Sequence, residues 1–353
     1  MTAQRVTIVR TGFLGDAVCA IPAFRLLRSH FPDARLTLLS DRASPQSTQA
    51  RDVVGSLNIF DAIVEYGFGG RGVLRDLVAF TRAERPDIVV ILTQRNEPRG
   101  QSWKRRLFFR LLGVRTILSL APIRKPSVVI NEPTRLVHGL NRLRIGGAKP
   151  DYGIVVDDDA AAGVRTELSR VGIDAARPYI VFCGGGKAPT QRWPLARYAA
   201  VLTALHEEAG LPVIGIGSPG ELDEYRTAIV PLFPGFRALT MPLSFRALAE
   251  LLRQATLYFG NDTGPMHVAA AVGCPTAVVM SGRNTLGAWD PDSHPSLVIR
   301  HDVPCQGCFL VDCTRFEHRC MTEISVASVT ARVRSFLQRL PKRVQLDRPV
   351  GAR

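Results

Sequence analysis

The sequence predicts an α/β fold of two Rossmann-like, doubly wound domains that face a central cleft. Short apolar runs alternate with stretches of helical periodicity, as in a parallel sheet whose strands are joined by helices. A strand, a glycine-rich turn and a helix open the chain at Arg5, and the same unit begins again at Tyr179. The 353 residues also exceed what one hydrophobic core usually organises. We therefore expect ligands at the carboxyl ends of the strands in both domains.

The individual elements follow from apolar runs and from the spacing of apolar residues. The predicted strands are Arg5–Arg10, Arg35–Leu39, Pro86–Leu92, Tyr179–Cys183, Leu211–Ile214, Phe236–Thr240, Ala255–Phe259 and Thr276–Met280. The first predicted helix follows the turn that begins at Thr11 and runs up to Pro32. The other predicted helices cover Val73–Glu84, Leu195–Glu208, Phe245–Arg253 and Val326–Leu340. The last helix ends before Pro341, as the missing amide of proline requires.

The pattern loosens between Lys149 and Pro178, which places the domain boundary there. We expect an N-terminal domain over 1–165, a C-terminal domain over 175–340 and a mobile tail over 341–353. Three aspartates, at 157–159, directly precede a helical stretch. We interpret them as a helix cap and not as a metal-binding Asp-x-Asp pair.

The net charge of +14 predicts a surface that attracts phosphates, on nucleic acid, on anionic lipid or on a nucleotide sugar. The same charge also fits a basic surface with no specific partner. No run of eighteen apolar residues and no signal-peptide pattern is present, so we expect a cytoplasmic protein. The basic segment Trp103–Arg110 (WKRRLFFR) is suited to peripheral contact with the anionic inner membrane.

The first candidate site is the turn from Thr11 to Asp16. Gly12 and Gly15 let the backbone approach a ligand closely. Asp16 has two readings: an acid that interacts with the dipole of the first helix, or a general base that deprotonates an acceptor hydroxyl.

The second candidate site is the turn Asp262-Thr263-Gly264, where a strand enters a helix of small residues. The free amides of a helix start form an anion site, and a diphosphate suits this turn. His267 lies in the first helical turn, where it is either a structural histidine or a residue that holds the phosphate or the acceptor.

The third candidate site follows the first strand of the second domain, in the sequence GGGKAPTQRWP. Gly185 and its neighbours, with the cations Lys187 and Arg192, favour a phosphate again. A flexible loop with solvated charges is the alternative.

Four of the seven cysteines are clustered: Cys305, Cys308, Cys313 and Cys320. In a reducing compartment the opening CxxC is typical of a structural zinc or iron site, although four reduced thiols without metal explain the spacing too.

These motifs carry a family resemblance. RTGFLGDAVCAIPAFRLLRSHFPDARLTLL resembles the amino-terminal signature of glycosyltransferase family nine, and FGNDTGPMHVAAAVGCPTAVVM resembles its donor-site signature. With GGGKAPTQRWPLARYA between them, the matches stand in family order and span nearly the whole chain. The resemblance implies the two-domain GT-B fold, with the acceptor-side domain first and the nucleotide-sugar-binding domain second.

The resemblance also implies the reaction: an inverting transfer of heptose or a related sugar from ADP-heptose, without a cofactor. The acceptor would be a hydroxyl of the lipopolysaccharide core, of another glycan or of a protein. Gly12 and Gly15 would lie on the acceptor side, with Asp16 as the catalytic base. The remaining matched residues would bind the donor: Gly185, Lys187, Arg192, Glu221, Asp262, Thr263, Gly264 and His267.

Two other functions account for fewer of these residues. An NAD-dependent oxidoreductase would use the GxGxxG match at Gly215–Gly220, but the following RALTMP lacks the acid of a dinucleotide site. In the family this turn leads instead to an acid that binds the nucleotide ribose, which matches Glu221. A basic cysteine-metal module that binds nucleic acid would leave Asp16 and the NDTGPMH turn without a role.

Overall fold

The computed structural model describes residues 4–41, 50–67, 72–95, 100–120, 130–239, 243–293 and 295–341. The chain divides into two compact units, Met1–Val155 and Val156–Arg353. Each unit contains one parallel sheet whose strands alternate along the chain with helices. Within the described residues no helix is long and apolar enough to cross a lipid bilayer.

The first unit is built on a five-stranded sheet in the order β3-β2-β1-β4-β5. Its strands are β1 (Arg5–Val9), β2 (Arg35–Asp41), β3 (Ala62–Tyr66), β4 (Ile88–Ile91) and β5 (Thr116–Ser119). Its helices are α1 (Leu14–His30), α2 (Ala50–Val54), α3 (Gly72–Glu84), α4 (Gln101–Leu111) and α5 (Glu132–Arg142).

The second unit is built on a six-stranded sheet in the order β11-β10-β9-β6-β7-β8. Its strands are β6 (Ile180–Cys183), β7 (Val213–Gly215), β8 (Phe236–Ala238), β9 (Leu257–Asn261), β10 (Thr276–Val279) and β11 (Ser296–Ile299). Its helices are α6 (Asp158–Arg170), α7 (Leu195–Ala209), α8 (Pro219–Ala228), α9 (Phe245–Gln254), α10 (Gly264–Ala271), α11 (Arg319–Thr322) and α12 (Val326–Arg339), with a short 3-10 helix at Pro189–Gln191.

Both sheets are doubly wound, as the sequence predicted. In the first unit the chain adds strands to one side of β1 and then returns to place β4 on its other side. The second unit does the same around β6, with β7 on one side and β9 on the other. Each sheet therefore has one switch point, β1/β4 or β6/β9, and ligands of such sheets bind outside the carboxyl ends of the strands there.

The helix that opens the second unit confirms the interpretation of the aspartate triple. Asp157 is the N-cap of α6, and its carboxylate accepts a hydrogen bond of 2.8 Å from the Ala160 amide. Arg246 at the start of α9 also pairs with this carboxylate. The predicted tail at 341–353 lies outside the described residues except for Pro341.

The core of the second unit packs tightly around the first strand of its sheet. The ring of Phe182 lies 5.0 Å from that of Tyr198 and 5.3 Å from that of Tyr225, and all three are fully buried. Beside it, β6 and β9 approach so closely that a Cβ added to Gly260 would lie 2.0 Å from the Cys183 carbonyl oxygen. Only glycine fits at this position, where β6 and β9 lie side by side.

This close approach yields a stability prediction. Gly260→Ala should lower the free energy of unfolding by about 2 kcal/mol or more, because the clash is with backbone that cannot rotate away. Gly220→Ala is the matched control, since a Cβ at that helical position meets no atom within 4 Å. Urea denaturation of both variants checks the prediction, and equal stabilities would contradict it.

Candidate active site

Two polar turns leave the adjacent strands β6 and β9, and one side chain joins them. The Asn261 side chain is fully buried, and its Nδ2 donates to the carbonyl oxygens of Gly184 (2.6 Å) and Gly185 (3.0 Å). Its Oδ1 accepts from the Tyr198 hydroxyl (2.6 Å) and from the Trp193 amide (3.3 Å). Every donor and both acceptor positions of the amide are used. Asn261 therefore fixes the glycine-rich turn against the end of β9.

The glycine-rich turn also packs against Glu221. The Glu221 carboxylate accepts from the Gly186 amide (3.1 Å) and from the amide and hydroxyl of Ser218 (2.8 and 2.9 Å). A Cβ on Gly185 would lie 1.8 Å from its Oε1, which explains the glycine at that position. Glu221 thus closes a capping box at the start of α8. Its predicted contact with a ribose stays a prediction.

The guanidinium of Arg192 lies beside the same turn. Its Nε donates to the Gly186 carbonyl oxygen (2.9 Å), and its Nη1 lies 3.1 Å from both carboxylate oxygens of Glu224. The side chain is 35% exposed, so an anion from solvent can still reach it. Lys187 is exposed on the same turn.

The turn after β9 places an acid, a hydroxyl and a histidine together. The Asp262 carboxylate accepts from Asn284 Nδ2 (3.1 Å) and lies 3.6 Å from His267 Nε2. The His267 ring is largely buried and packs edge-on against Trp289, with 5.7 Å between the ring centroids. These contacts give His267 a fixed orientation.

Thr263 is the N-cap of α10, yet its side chain does not accept from the first helical turn. Its hydroxyl lies 3.0 Å from the hydroxyl of Tyr258 instead. Gly264 opens the helix without a side chain. The amides of this turn can therefore bind an anion, as the sequence predicted for a diphosphate.

In the first unit, the turn after β1 holds the predicted base. Gly12 has φ +132°, which favours glycine, and its amide donates to the buried carboxylate of Asp41 (2.9 Å). Asp16 is the third residue of α1, directly after Gly15, and its Oδ2 accepts from the Phe13 amide (3.0 Å). The structural reading of Asp16 as a helix-terminal acid is thus confirmed. Its catalytic role stays a prediction.

Asp16 contacts a buried ionic cluster through Arg10. Arg10 Nη2 lies 3.5 Å from Asp16 Oδ1 and 3.2 Å from Glu132 Oε1. Glu132 is fully buried and also pairs with Arg135 (2.6 Å) and Arg95 (3.4 Å). Burial opposes the ionisation of Glu132, but hydrogen bonds and charge from the guanidiniums, Arg135 foremost, lower its pKa. Arg10 is thereby held in place beside Asp16.

Three of the clustered cysteines, Cys305, Cys308 and Cys313, lie on the loop between β11 and α11, and Cys320 lies in α11. Burial raises the pKa of the Cys320 thiol, and the nearby charges of Cys305, Cys313 and Cys308 act in the same direction. Within the part of the chain that the structure describes, no three His, Cys, Asp or Glu side chains are arranged around a metal position.

Backbone amides converge on one of these sulfurs. Partial desolvation acts against ionisation of Cys313, but hydrogen bonds from the amides of Phe316, His318 and Arg315 lower its pKa. Amides that donate to a sulfur favour the thiolate, which is the form that binds metals.

Residues 89–316, more than half of the chain, match the family model of glycosyltransferase family 9 (heptosyltransferase). The chain belongs to glycosyltransferase family 9. This membership confirms the resemblance of the sequence motifs and makes the protein a glycosyltransferase. The family match does not support the two rival hypotheses, an NAD-dependent oxidoreductase and a nucleic-acid-binding module.

Relatives and solved structures agree with the family match. This glycosyltransferase is 28% identical over 314 residues to lipopolysaccharide heptosyltransferase 2 of Salmonella typhimurium, covering 84% of this chain and 88% of the relative. Escherichia coli ADP-heptose lipopolysaccharide heptosyltransferase II aligns with TM-score 0.70 at 19% identity, over 95% of this chain and 98% of that one. An Escherichia coli heptosyltransferase with ADP-2-deoxy-2-fluoro heptose aligns with TM-score 0.65 at 16% identity, over 94% and 100%. The predicted α/β fold of the GT-B type is confirmed.

The predicted site residues of this family 9 enzyme fall into three local groups. Gly185, Lys187, Arg192 and Glu221 surround the turn after β6, while Asp262, Thr263, Gly264 and His267 form the turn after β9. Gly12, Gly15 and Asp16 form the turn after β1. Sequence reasoning missed the residues that hold these groups: Arg10, Glu132, Tyr258, Asn261, Asn284 and Trp289. For Arg10 and Asn261 a signal existed, since each is a polar residue at the carboxyl end of a buried strand.

The amide of Asn261 yields a prediction for the donor site. Asn261→Asp replaces the buried donor by an oxygen that faces two carbonyl oxygens, which should lower the free energy of unfolding by about 3 kcal/mol or more. The loss should be smaller at mildly acidic pH, because a protonated carboxyl can donate one hydrogen bond. Urea denaturation at neutral pH and at mildly acidic pH measures this loss of stability.

The matched control for this prediction is Asn141→Asp. Asn141 is exposed, and its amide contacts only Gly147 (3.2 and 3.1 Å) among the hydrogen bonds described for it. Its substitution should change stability by about 1 kcal/mol or less. If both variants lose the same stability, the Asn261 side chain does not hold the two turns together.

Proposed function

We propose that this glycosyltransferase transfers heptose, or a related sugar, from ADP-heptose to a hydroxyl of the lipopolysaccharide core. The names of its relatives support both the donor and the acceptor class. Another glycan or a protein is the alternative acceptor. The observation that carries the proposal is the pair of polar turns after β6 and β9, joined by Asn261 at the switch point of the second sheet.

The donor is held by the second unit. The diphosphate lies at the amides that open α10, with Thr263 and Gly264 against it and Arg192 as its cation. Lys187 supplies a second cation from the same turn. Glu221, whose carboxylate is fixed by Ser218 and Gly186, accepts from the ribose hydroxyls. His267 and Asp262 contact the donor beside its diphosphate.

The chemical step inverts the anomeric centre. Asp16 takes the proton of the acceptor hydroxyl, and the oxygen attacks the anomeric carbon. The bond from that carbon to the diphosphate breaks on the opposite face, and ADP leaves with the electron pair. The amides of α10 and Arg192 stabilise the charge that develops on the diphosphate, and no cofactor takes part. Gly12 and Gly15 allow the acceptor to approach Asp16.

Asp16→Asn tests this function. It keeps the shape of the side chain but removes the base, so kcat for ADP release in the presence of acceptor should fall about a thousandfold. Stabilisation of the protein by ADP-heptose should stay as in the wild type, because Asp16 does not bind the donor. Asp33→Asn, at an exposed turn after α1, is the control and should keep full activity.

The outcomes of this test are distinct. An Asp16→Asn variant with at least a tenth of the wild-type kcat would remove the base from the mechanism. Stabilisation by UDP- or GDP-sugars, and not by ADP-heptose, would keep the chemistry and replace the donor. A wild type that no nucleotide sugar stabilises would refute the proposed donor site.

We also propose that Cys305, Cys308, Cys313 and Cys320 hold a structural zinc or iron ion. Four thiols on the segment between β11 and α12 form the donor set that such metals prefer, and the amides around Cys313 favour its thiolate. Because the side chains are not arranged around a metal position, binding requires rotation of the thiols. The ion would brace the segment between β11 and α12.

Metal analysis tests this second proposal. The purified protein should contain about one equivalent of zinc or iron, and Cys308→Ser should lose it. Cys274→Ser is the control, because Cys274 is buried elsewhere and its thiol lies within hydrogen-bond distance of the carbonyl oxygens of Ala255 and Pro275. A wild type without metal, or a Cys308→Ser variant that keeps it, would refute the site.

A further inference from the structure

The outer face of α4 combines exposed apolar side chains with arginines. Trp103, Arg106, Leu107 and Arg110 recur at i, i+3, i+4 and i+7 and so form one stripe along the helix. Trp103 is 62% exposed and Leu107 45%, and Leu111 extends the stripe at 77%. We call these five residues the α4 surface.

Arg110 donates to the Arg115 carbonyl oxygen (2.6 Å), but the apolar side chains of the α4 surface are not required to hold the helix in place. The opposite face of α4 carries Phe109, which is buried, and Phe108, which packs against the same cluster. This cluster lies on the sheet of the first unit and includes Val9 and Val89. The apolar stripe on the outside is therefore surplus to folding, and such exposed patches mark interaction sites.

A cavity runs along this surface. It has a volume of about 400 Å³ and is lined by Trp103, Arg106, Leu107, Arg110, Arg115 and Ile117. Arg115 directly precedes β5, an edge strand of the sheet, and Ile117 lies in that strand. An apolar floor rimmed by three guanidiniums suits a ligand that is both apolar and anionic.

The charge of the segment identifies the partner. Residues 100–120 contain five cations, Lys104, Arg105, Arg106, Arg110 and Arg115, and no aspartate or glutamate. A second copy of the chain, docked by a twofold axis, would set these five cations against five others. Nucleic acid would satisfy the cations but not the two exposed leucines. An anionic lipid surface satisfies both.

We propose that the α4 surface docks this enzyme on a bilayer of anionic phospholipids. The helix lies in the plane of the interface, with Trp103, Leu107 and Leu111 at the boundary between headgroups and acyl chains. The arginines bind lipid phosphates, and their stems cover the apolar side chains. Eleven helical residues span only about 16 Å, so the contact is reversible and depends on charge. The proposal does not rest on the proposed reaction.

Vesicle binding by the full chain tests this proposal. The protein should bind vesicles of equal parts phosphatidylglycerol and phosphatidylcholine, should not bind phosphatidylcholine alone, and should dissociate as salt rises. The tryptophan fluorescence should shift to the blue on binding. Trp103 dominates this shift, since Trp193 is fully buried and Trp289 packs edge-on against His267.

Two double variants separate charge from apolar contact. Arg106→Gln with Arg110→Gln should weaken binding about twenty-fivefold, since each basic residue near an anionic surface contributes about fivefold. Trp103→Ser with Leu107→Ser should weaken binding in vesicle sedimentation, because it removes two of the apolar contacts. The matched control is Arg165→Gln with Arg170→Gln on α6, which removes the same charge from two exposed arginines elsewhere. The control should bind like the wild type.

Other results would overturn the proposal. Equal binding to both kinds of vesicle, or equal weakening by both arginine pairs, would mean that no specific surface exists. A dimer that the Trp103→Ser and Leu107→Ser changes dissociate, without vesicle binding by the wild type, would assign the surface to a second copy. Thermal stabilisation by ADP serves as the folding check, and it should be the same in every variant whether or not the vesicles bind.

Discussion

The candidate donor site depends on one buried amide. Asn261 ends β9, and its side chain reaches the turn after β6, where it donates to two carbonyls and accepts from Tyr198 and from the Trp193 backbone. No other side chain of this length offers two donors and an acceptor oxygen with two lone pairs. Because the group is fully buried, water cannot replace these bonds. This residue therefore fixes the two turns relative to each other.

In the first unit, a charged side chain holds the residues at the switch point in place. At its switch point Arg10 donates to the carbonyl oxygens of Leu92 and Thr93, at the end of β4, and Glu132 holds its guanidinium from behind. A buried ionic cluster adds little net stability, because desolvation offsets the attraction. Its effect is positional: the cation next to Asp16 has one orientation. The arginines around Glu132 therefore contribute more to the orientation of Arg10 than to the stability of the fold.

How far the sequence could predict the molecule depended on the range of each interaction. Buried central strands such as β1 and β6 were predictable because they are continuous apolar runs. The half-buried edge strands β3, β5 and β11 were missed, since they lack such runs. The turns were predictable from local glycines and polar residues. The role of Asn261 was not, because its partners lie 63 to 77 positions away along the chain.

The structural roles of Asp16 and Glu221 are compatible with their proposed roles, Asp16 as the base and Glu221 as the acid that binds the ribose. Asp16 is the third residue of α1 and Glu221 the third residue of α8, and each carboxylate accepts from the amide of its N-cap residue. That bond engages one oxygen and fixes the side-chain rotamer, while the other oxygen faces Arg10 or the Gly186 amide. A carboxylate held this way is already oriented when a substrate arrives, so it needs no ordering at the moment of reaction. The capping of each helix is thus the means by which the fold positions its acid.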